Sequence, residues 1–332
     1  MIDRSFLKIK HLGECQIQSP LDESTVRFVS DEEAILLERE FTKLCEIQKA
    51  GGKIPVFEAA GPRRKLFHNP RWSKAAILTA GGLCPGLNNV IKSLTLALKS
   101  YGVPLVYGIP YGYAGLNPDC QSKPIMLDQE TVDDIHEQGG TILGSSRGAQ
   151  DPVVMLETLV RMDINMLFCV GGDGTLRSAH AIAEEAAKRN LNISIVGIPK
   201  TIDNDISYMD RTFGFETAVY ATNSVIVAAH NEAKGAYNGV GLIHVMGRDS
   251  GFIAAYAALA NTSVNYCLVP EEKFNLEEGP NALLPHLLGR LKRRKHAVII
   301  VAEGAGQDLM ADRKSTRLNS SHTQKSRMPS SA

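Results

Sequence analysis

Seven short apolar runs, separated by segments of helical length, set the limits on how this chain can fold. They read "AAILTA", "PLVYGIP", "NMLFCVGG", "ISIVGIP", "VGLIHVMG", "NYCLVP" and "AVIIVAEG". Amphipathic stretches fall between and beside them, at about 86–100, 152–162, 175–189, 215–234, 250–260 and 280–293. The runs lack clean alternation of apolar and polar residues, the pattern of strands buried on both faces. Strand, helix, strand, repeated, predicts an α/β fold with parallel-rich sheets and helices on both faces. With 332 residues, 44% of them hydrophobic, there is room for about two domains.

Residues 1–73 have a different texture and read as an N-terminal extension. The spacing predicts one helix there, over 31–49. Ser30 and Glu33 offer a capping box at its start, and Gly51-Gly52 a stop at its end. Lys and Arg together balance Asp and Glu at 36 each, so charge makes no case for a nucleic-acid or membrane partner. No run reaches the length of a membrane span, and the N-terminus lacks an apolar core of leader length. Six scattered cysteines without a C-x-x-C pair read as reduced thiols in a cytoplasmic protein. The nine histidines show no metal-binding spacing.

Ligands of open α/β sheets sit beyond the carboxyl ends of the strands. Here those ends read "GGLCPGLNN", "GGDGT", "PKTIDND", "MGRDSG", "PEE" and "EGAG". The first opens a helix, where glycines admit a phosphate to free N–H groups, although a plain tight turn looks the same. In "GGDGT" (171–175) an acid sits among phosphate-binding amides, so Asp173 calls for a cation such as Mg2+. Asp also caps helices without any ligand. "PKTIDND" (199–205) puts Asp203 and Asp205 beside Lys200 and Thr201. Phosphoryl transfer to an alcohol needs a proton acceptor and a nearby positive charge. An Asx-turn would use the same residue types. Arg248 in "MGRDSG" and Arg147 in "SSRGAQDP" can clamp phosphate or pair with acids.

Taken in order, "GG-x-x-PG-x-N", "GGT-x-LGSSR", "GGDGT", "PKTIDND", "FGF-x-TA", "MGR-x-SG", "VPE" and "EG" resemble the phosphofructokinase family across 75 to about 308. The extension and "GGTILGSSRG" are similar to its long-chain, ATP-dependent subgroup. The resemblance implies two Rossmann-like lobes with the active site in the cleft between them. It divides the chain into an extension (1–73), a nucleotide-binding lobe (74–213) and an incomplete sugar-phosphate lobe (214–311). It implies transfer of a phosphoryl group from ATP to the 1-hydroxyl of fructose 6-phosphate, a step of glycolysis, in a homotetramer or homodimer. Asp203 would accept the hydroxyl proton, with Thr201 and Asp205 holding the sugar. Asp173 would position Mg2+. Gly82, Arg147, Gly148 and Gly172, Gly174 and Thr175 would line the nucleotide. Met246, Gly247, Arg248 and Glu303 would face the sugar phosphate, Arg248 and Lys200 lying near the transferred group.

Gly174 favours ATP, because pyrophosphate users of the family carry a second Asp there. Lys200 is the contrary sign, although the long-chain subgroup shares it. No Arg precedes "MGR", unlike short-chain members. A pyrophosphate-dependent enzyme, another GGDGT kinase acting on NAD or lipid, and a non-catalytic binding subunit are the alternatives. The polar segment 312–332 is a separate matter. "DRKSTRLNSSH" and "SRMPSSA" are in-frame translations of two successive portions of a common sequencing adapter, so this end reads as disordered and artefactual. The family chain would continue, and the chain as written is expected to expose strand edges and to have little activity.

Overall fold

A computed structural model describes residues 11–52 and 54–310; the segment read as an artefactual tail lies outside them. By packing, the chain divides into two units between Ala218 and Val219.

In the first unit the extension contributes β1 (Ile17–Gln18), β2 (Ala34–Leu36), α1 (Phe41–Lys49), β3 (Val56–Glu58) and β4 (Lys65–Leu66). β1 pairs with β4 and β2 with β3, both antiparallel. The helix expected over 31–49 therefore starts ten residues late. Bonds of the capping kind are present: the Ser30 N–H donates to Glu33 Oε1 at 2.9 Å, and Ser30 Oγ accepts from the Glu32 N–H at 3.2 Å. They close a turn that feeds β2, because Ala34–Leu36 take strand partners 20 to 24 residues on (Ala34 opposite Glu58, Leu36 opposite Val56); tertiary pairing overrides local propensity. The stop at the other end is as expected. The Gly52 N–H reaches the Ile47 carbonyl at 2.9 Å and the Gly51 N–H the Gln48 carbonyl at 3.0 Å, a Schellman closure.

The main sheet of this unit is built from β5 (Lys74–Thr79), β6 (Leu105–Ile109), β7 (Ile125–Met126), β8 (Met166–Gly171) and β9 (Ser194–Pro199). Their order is β7-β6-β5-β8-β9, all parallel except β7. The connecting helices are α2 (Leu87–Ser100), the short α3 (Gln129–Val132), α4 (Pro152–Arg161) and α5 (Asp173–Lys188). β5 shows why alternation was missing. Ala75 and Ile77 face a core that includes Leu87, Ile91 and Leu98 of α2. Ala76 and Leu78 face the opposite core, with Met155, Leu156 and Leu159 of α4 and Ile182 of α5. Both faces of the strand are dry from Ala75 to Leu78, so every one of those positions is apolar.

The second unit holds β10 (Gly239–Val245), α7 (Phe252–Ala260), β11 (Tyr266–Leu268), α8 (Leu283–Arg294) and β12 (His296–Ala302), and α6 (Phe215–Gly235) leads into it. Its strands run parallel in the order β10-β12-β11. β12 is buried on both faces, as expected. β10 is not: Ile243 and Val245 are buried, while Leu242 is 67% exposed. Among the described residues no helix is long and apolar enough to cross a membrane.

Candidate functional site

Apart from Arg147 and Gly148, each candidate residue follows a parallel strand, and each unit gathers its own set. In the first, β5 ends at Thr79, whose buried hydroxyl donates to the Gly144 carbonyl at 2.7 Å. That bond anchors the "GGTILGSSRG" loop over the glycines after β5. Ser145 Oγ donates to the Gly81 carbonyl at 2.6 Å, and the Gly81 N–H donates to Ser146 O at 3.1 Å. The frame leaves the exposed Arg147 with its guanidinium over Gly82. Gly148 adjoins it in open space.

Lys200 enters the same place from the end of β9. Its backbone N–H is held by Gly171 O at 2.9 Å, and its buried ammonium donates to the Gly82 carbonyl at 2.6 Å. Burial pulls its pKa below the ordinary lysine value; Arg147 adds to that, while Asp203 opposes it. The Cys84 thiol beside it is pushed up to about 11, chiefly by burial. It therefore stays protonated and brings no charge to the site. Cys84 donates to Phe213 O at 3.1 Å, a tie across the sequence that no local pattern reveals.

Beyond Lys200 the loop organises itself. Thr201 Oγ1 donates to Asp205 Oδ1 at 2.6 Å and accepts the Asp203 N–H at 3.1 Å. Asp203 is buried and Asp205 exposed, so the two carboxylates, alike in sequence, sit in different dielectrics. Asn204 between them has φ 56° and is buried.

The glycines of "GGDGT" separate into two kinds. A Cβ at Gly171 would lie 2.2 Å from Thr175 Oγ1, so this glycine lets the first turn of α5 pack on β8. Thr175 is itself buried, and its carbonyl accepts the Tyr113 hydroxyl at 2.7 Å. Gly172 and Gly174 have no such constraint: nothing lies within 4 Å of a Cβ at Gly174. These are the positions with space for a ligand, and Asp173 projects between them from the first turn of α5. Among the described residues no three His, Cys, Asp or Glu side chains cluster as a metal cage. A single carboxylate with room for phosphate oxygens fits Mg2+, which keeps several waters and takes few protein ligands.

In the second unit the carboxyl ends of three strands converge on the start of α7. Met246, Gly247 and Arg248 follow β10, with Met246 and Arg248 exposed. The Arg248 N–H reaches Glu303 Oε2, after β12, at 3.3 Å. Arg248 has φ 47°, a left-handed conformation that costs about 1–2 kcal/mol outside glycine. Glu271, after β11, accepts the Gly251 N–H at 2.8 Å and so caps α7. The sequence offers it only within "PEE" and "VPE", and it stands here as close to the loop as Glu303.

Residues 74–330 match a family model described as Phosphofructokinase. An ATP-dependent 6-phosphofructokinase of Borreliella burgdorferi is 50% identical over 313 residues, which are 90% of this chain and 69% of that one. The protein of the same name from Entamoeba histolytica is 47% identical over 304 residues, 91% of this chain and 67% of its own. The crystal structure of Pichia pastoris phosphofructokinase in the T-state aligns with a TM-score of 0.62 at 26% identity, over 75% of this chain and 28% of that one. The chain thus spans about two thirds of the length of these curated relatives.

Proposed function

The chain belongs to the phosphofructokinase family, and on that premise we propose that the protein transfers a phosphoryl group from ATP to the 1-hydroxyl of fructose 6-phosphate. The observation that carries the reading is the loop after β9. A buried carboxylate, Asp203, and a buried ammonium, Lys200, sit together there beside open glycine backbone.

Asp203 accepts the proton of the sugar hydroxyl as the new P–O bond to the γ-phosphorus forms and the bond from that phosphorus to the β,γ-bridging oxygen breaks, its electrons leaving with ADP. Its burial and the neighbouring Lys200 keep it a poised acceptor rather than a solvated one. Thr201, fixed by Asp205, holds the hydroxyl in line. Lys200, leaning on the Gly82 carbonyl, offers its charge to the transferring phosphoryl oxygens as a point charge. Gly82, Arg147, Gly148, Gly172, Gly174 and Thr175 border the nucleotide. Asp173 would hold Mg2+, which supplies charge neutralisation at the phosphates. Met246, Gly247, Arg248 and Glu303 serve the sugar phosphate in the second unit. The enzyme works in the cytoplasm as a symmetric homo-oligomer, dimer or tetramer. Family membership removes the NAD-kinase and lipid-kinase readings.

Pyrophosphate is the second reading for the donor, favoured by Lys200. Turnover with ATP and with pyrophosphate, measured side by side on fructose 6-phosphate, decides between them. Gly174→Asp sharpens the result. Its Cβ meets nothing, so the fold is kept, and kcat/KM for ATP is expected to fall about tenfold or more, a penalty of at least 1.4 kcal/mol against the α-phosphate. Faster turnover of the unmodified protein with pyrophosphate would overturn the ATP assignment.

A further inference from the structure

The extension preceding β5 has no role in the mechanism above, yet it touches the loop that carries Asp203 and Asp205. Arg39, just before α1, pairs with Asp210, its Nη2 2.5 Å from Oδ2. Phe57 of β3 meets the ring of Tyr208 edge-on, centroids 6.2 Å apart. Both contacts fall on the segment 205–212, directly after the paired carboxylates. The end of the extension is tied to the main sheet through His68, whose Nε2 lies 2.9 Å from Ser194 Oγ, but α1 buries no residue and all of β2 is exposed.

Inside the loop one side chain ties that segment back to the carboxylates. Asn204 Oδ1 accepts the Thr212 N–H at 2.8 Å, and its Nδ2 donates to the Asp210 carbonyl at 3.3 Å. The same residue carries the left-handed backbone that separates Asp203 from Asp205. Few residue types can do both tasks. Asn tolerates that conformation, and its short amide offers a donor and an acceptor at once. Asp would lose the donor, and Gly would keep the backbone and lose the clamp. Thr201 completes the path through its bonds to Asp203 and Asp205.

We propose that the N-terminal extension is a scaffold for the substrate loop, and that Asn204 is the positioning residue through which it fixes Asp203 and Asp205. The placement of these carboxylates then depends on contacts made more than a hundred residues upstream. The Arg39–Asp210 pair is exposed, each side chain at 69%, so its own share is small. The clamp at Asn204 is buried and carries more. The kinetic part of the test rests on the sugar-kinase reading; the exchange part does not.

The test, made on the full-length protein, combines steady-state kinetics on fructose 6-phosphate and ATP with hydrogen–deuterium exchange over 203–212. Asn204→Gly is expected to lower kcat about tenfold or more, since a misplacement near 1 Å can cost about a hundredfold. KM for ATP should stay within about twofold, and exchange at the Thr212 amide should rise. Asn204→Asp, keeping the acceptor, should recover part of both. The exposed pair of changes Arg39→Ala with Phe57→Ala should lower kcat about two- to fivefold and raise exchange across the loop. Unchanged exchange in the Arg39→Ala, Phe57→Ala variant overturns the scaffold. Asn204→Gly with kcat within about twofold of the original overturns the positioning role. If the full-length protein phosphorylates no sugar phosphate, the functional reading fails, and exchange alone still decides the scaffold.

Discussion

β5, the first strand of the main sheet, and β10, the first strand of the second unit, are runs of similar composition, "KAAILT" and "GVGLIHV", and the molecule uses them differently. From Ala75 to Leu78 β5 has no exposed surface at all, with α2 on one face and α4 and α5 on the other. β10 buries Ile243 and Val245 and leaves Val240 and Leu242 at 41% and 67% exposure. The loops at the carboxyl ends of the two sheets differ as well. After the first sheet, Lys200, Asp203 and Asn204 are all buried, held by Gly82, Thr201 and Thr212 respectively. After the second, Met246 and Arg248 are exposed. The loop with Lys200 follows the edge strand β9, where Val196 is 43% exposed, so its burial comes from the turns after β5 and β8 that it leans on, through Gly82 and Gly171. A strand packed on one side presents its loop to solvent, which suits recognition of a ligand's polar groups more than proton transfer.

The largest test of this contrast is Asp203→Asn. It removes the proposed proton acceptor and should lower kcat by about 10²–10⁴-fold with melting retained, whereas Met246→Ala should alter only the KM for the sugar phosphate. Equal losses of kcat in both variants would erase the distinction between the two loops. Next come the strands themselves. Ile77→Ala should cost about 2–5 kcal/mol in denaturant unfolding, and Leu242→Ala no more than about 0.5 kcal/mol. A large cost at Leu242 would show that its face is covered in the assembled protein.

The smallest effect is electrostatic. Burial depresses the Lys200 pKa below 10.5 in the folded state. Between the folded value and 10.5 the unfolded chain holds a proton that the folded chain has released. The contribution of Lys200 to stability therefore rises with pH across that window. Lys200→Met should be the more stable protein at neutral pH, with the gap closing as pH approaches 10.5 in denaturant titrations. A gap that widens with pH would contradict the sign.

Most of this architecture was legible because burial on both faces writes itself as a continuous apolar run. All seven runs became strands, and the six longer helices began and ended within about three residues of expectation. β7 and the paired strands of the extension escaped because two or three residues have no period to read. The capping box at Ser30 formed its bonds and still did not start a helix, since a local motif cannot report a partner strand at Val56–Glu58. The strand-end rule found the loops that carry Asp173, Lys200, Asp203 and Arg248. It could not single out Cys84, Asn204 or Glu271, whose parts are defined by Phe213, Thr212 and Gly251. Those contacts exist only once the chain has closed.

The approach of α6 to β10 has one last consequence. A Cβ at Gly239 would lie 2.3 Å from the Ala233 carbonyl oxygen, and one at Gly241 3.0 Å from that of Ala229. Helix and strand here touch through peptide atoms, with no rotatable side chain between them to act as a bearing. Such a seam cannot slide or tilt by small steps, because close-packed interiors transmit displacement instead of absorbing it. The later turns of α6 and the strand leading to Met246 and Arg248 therefore travel as one rigid lever, and any flexing of that unit must be taken up in its loops.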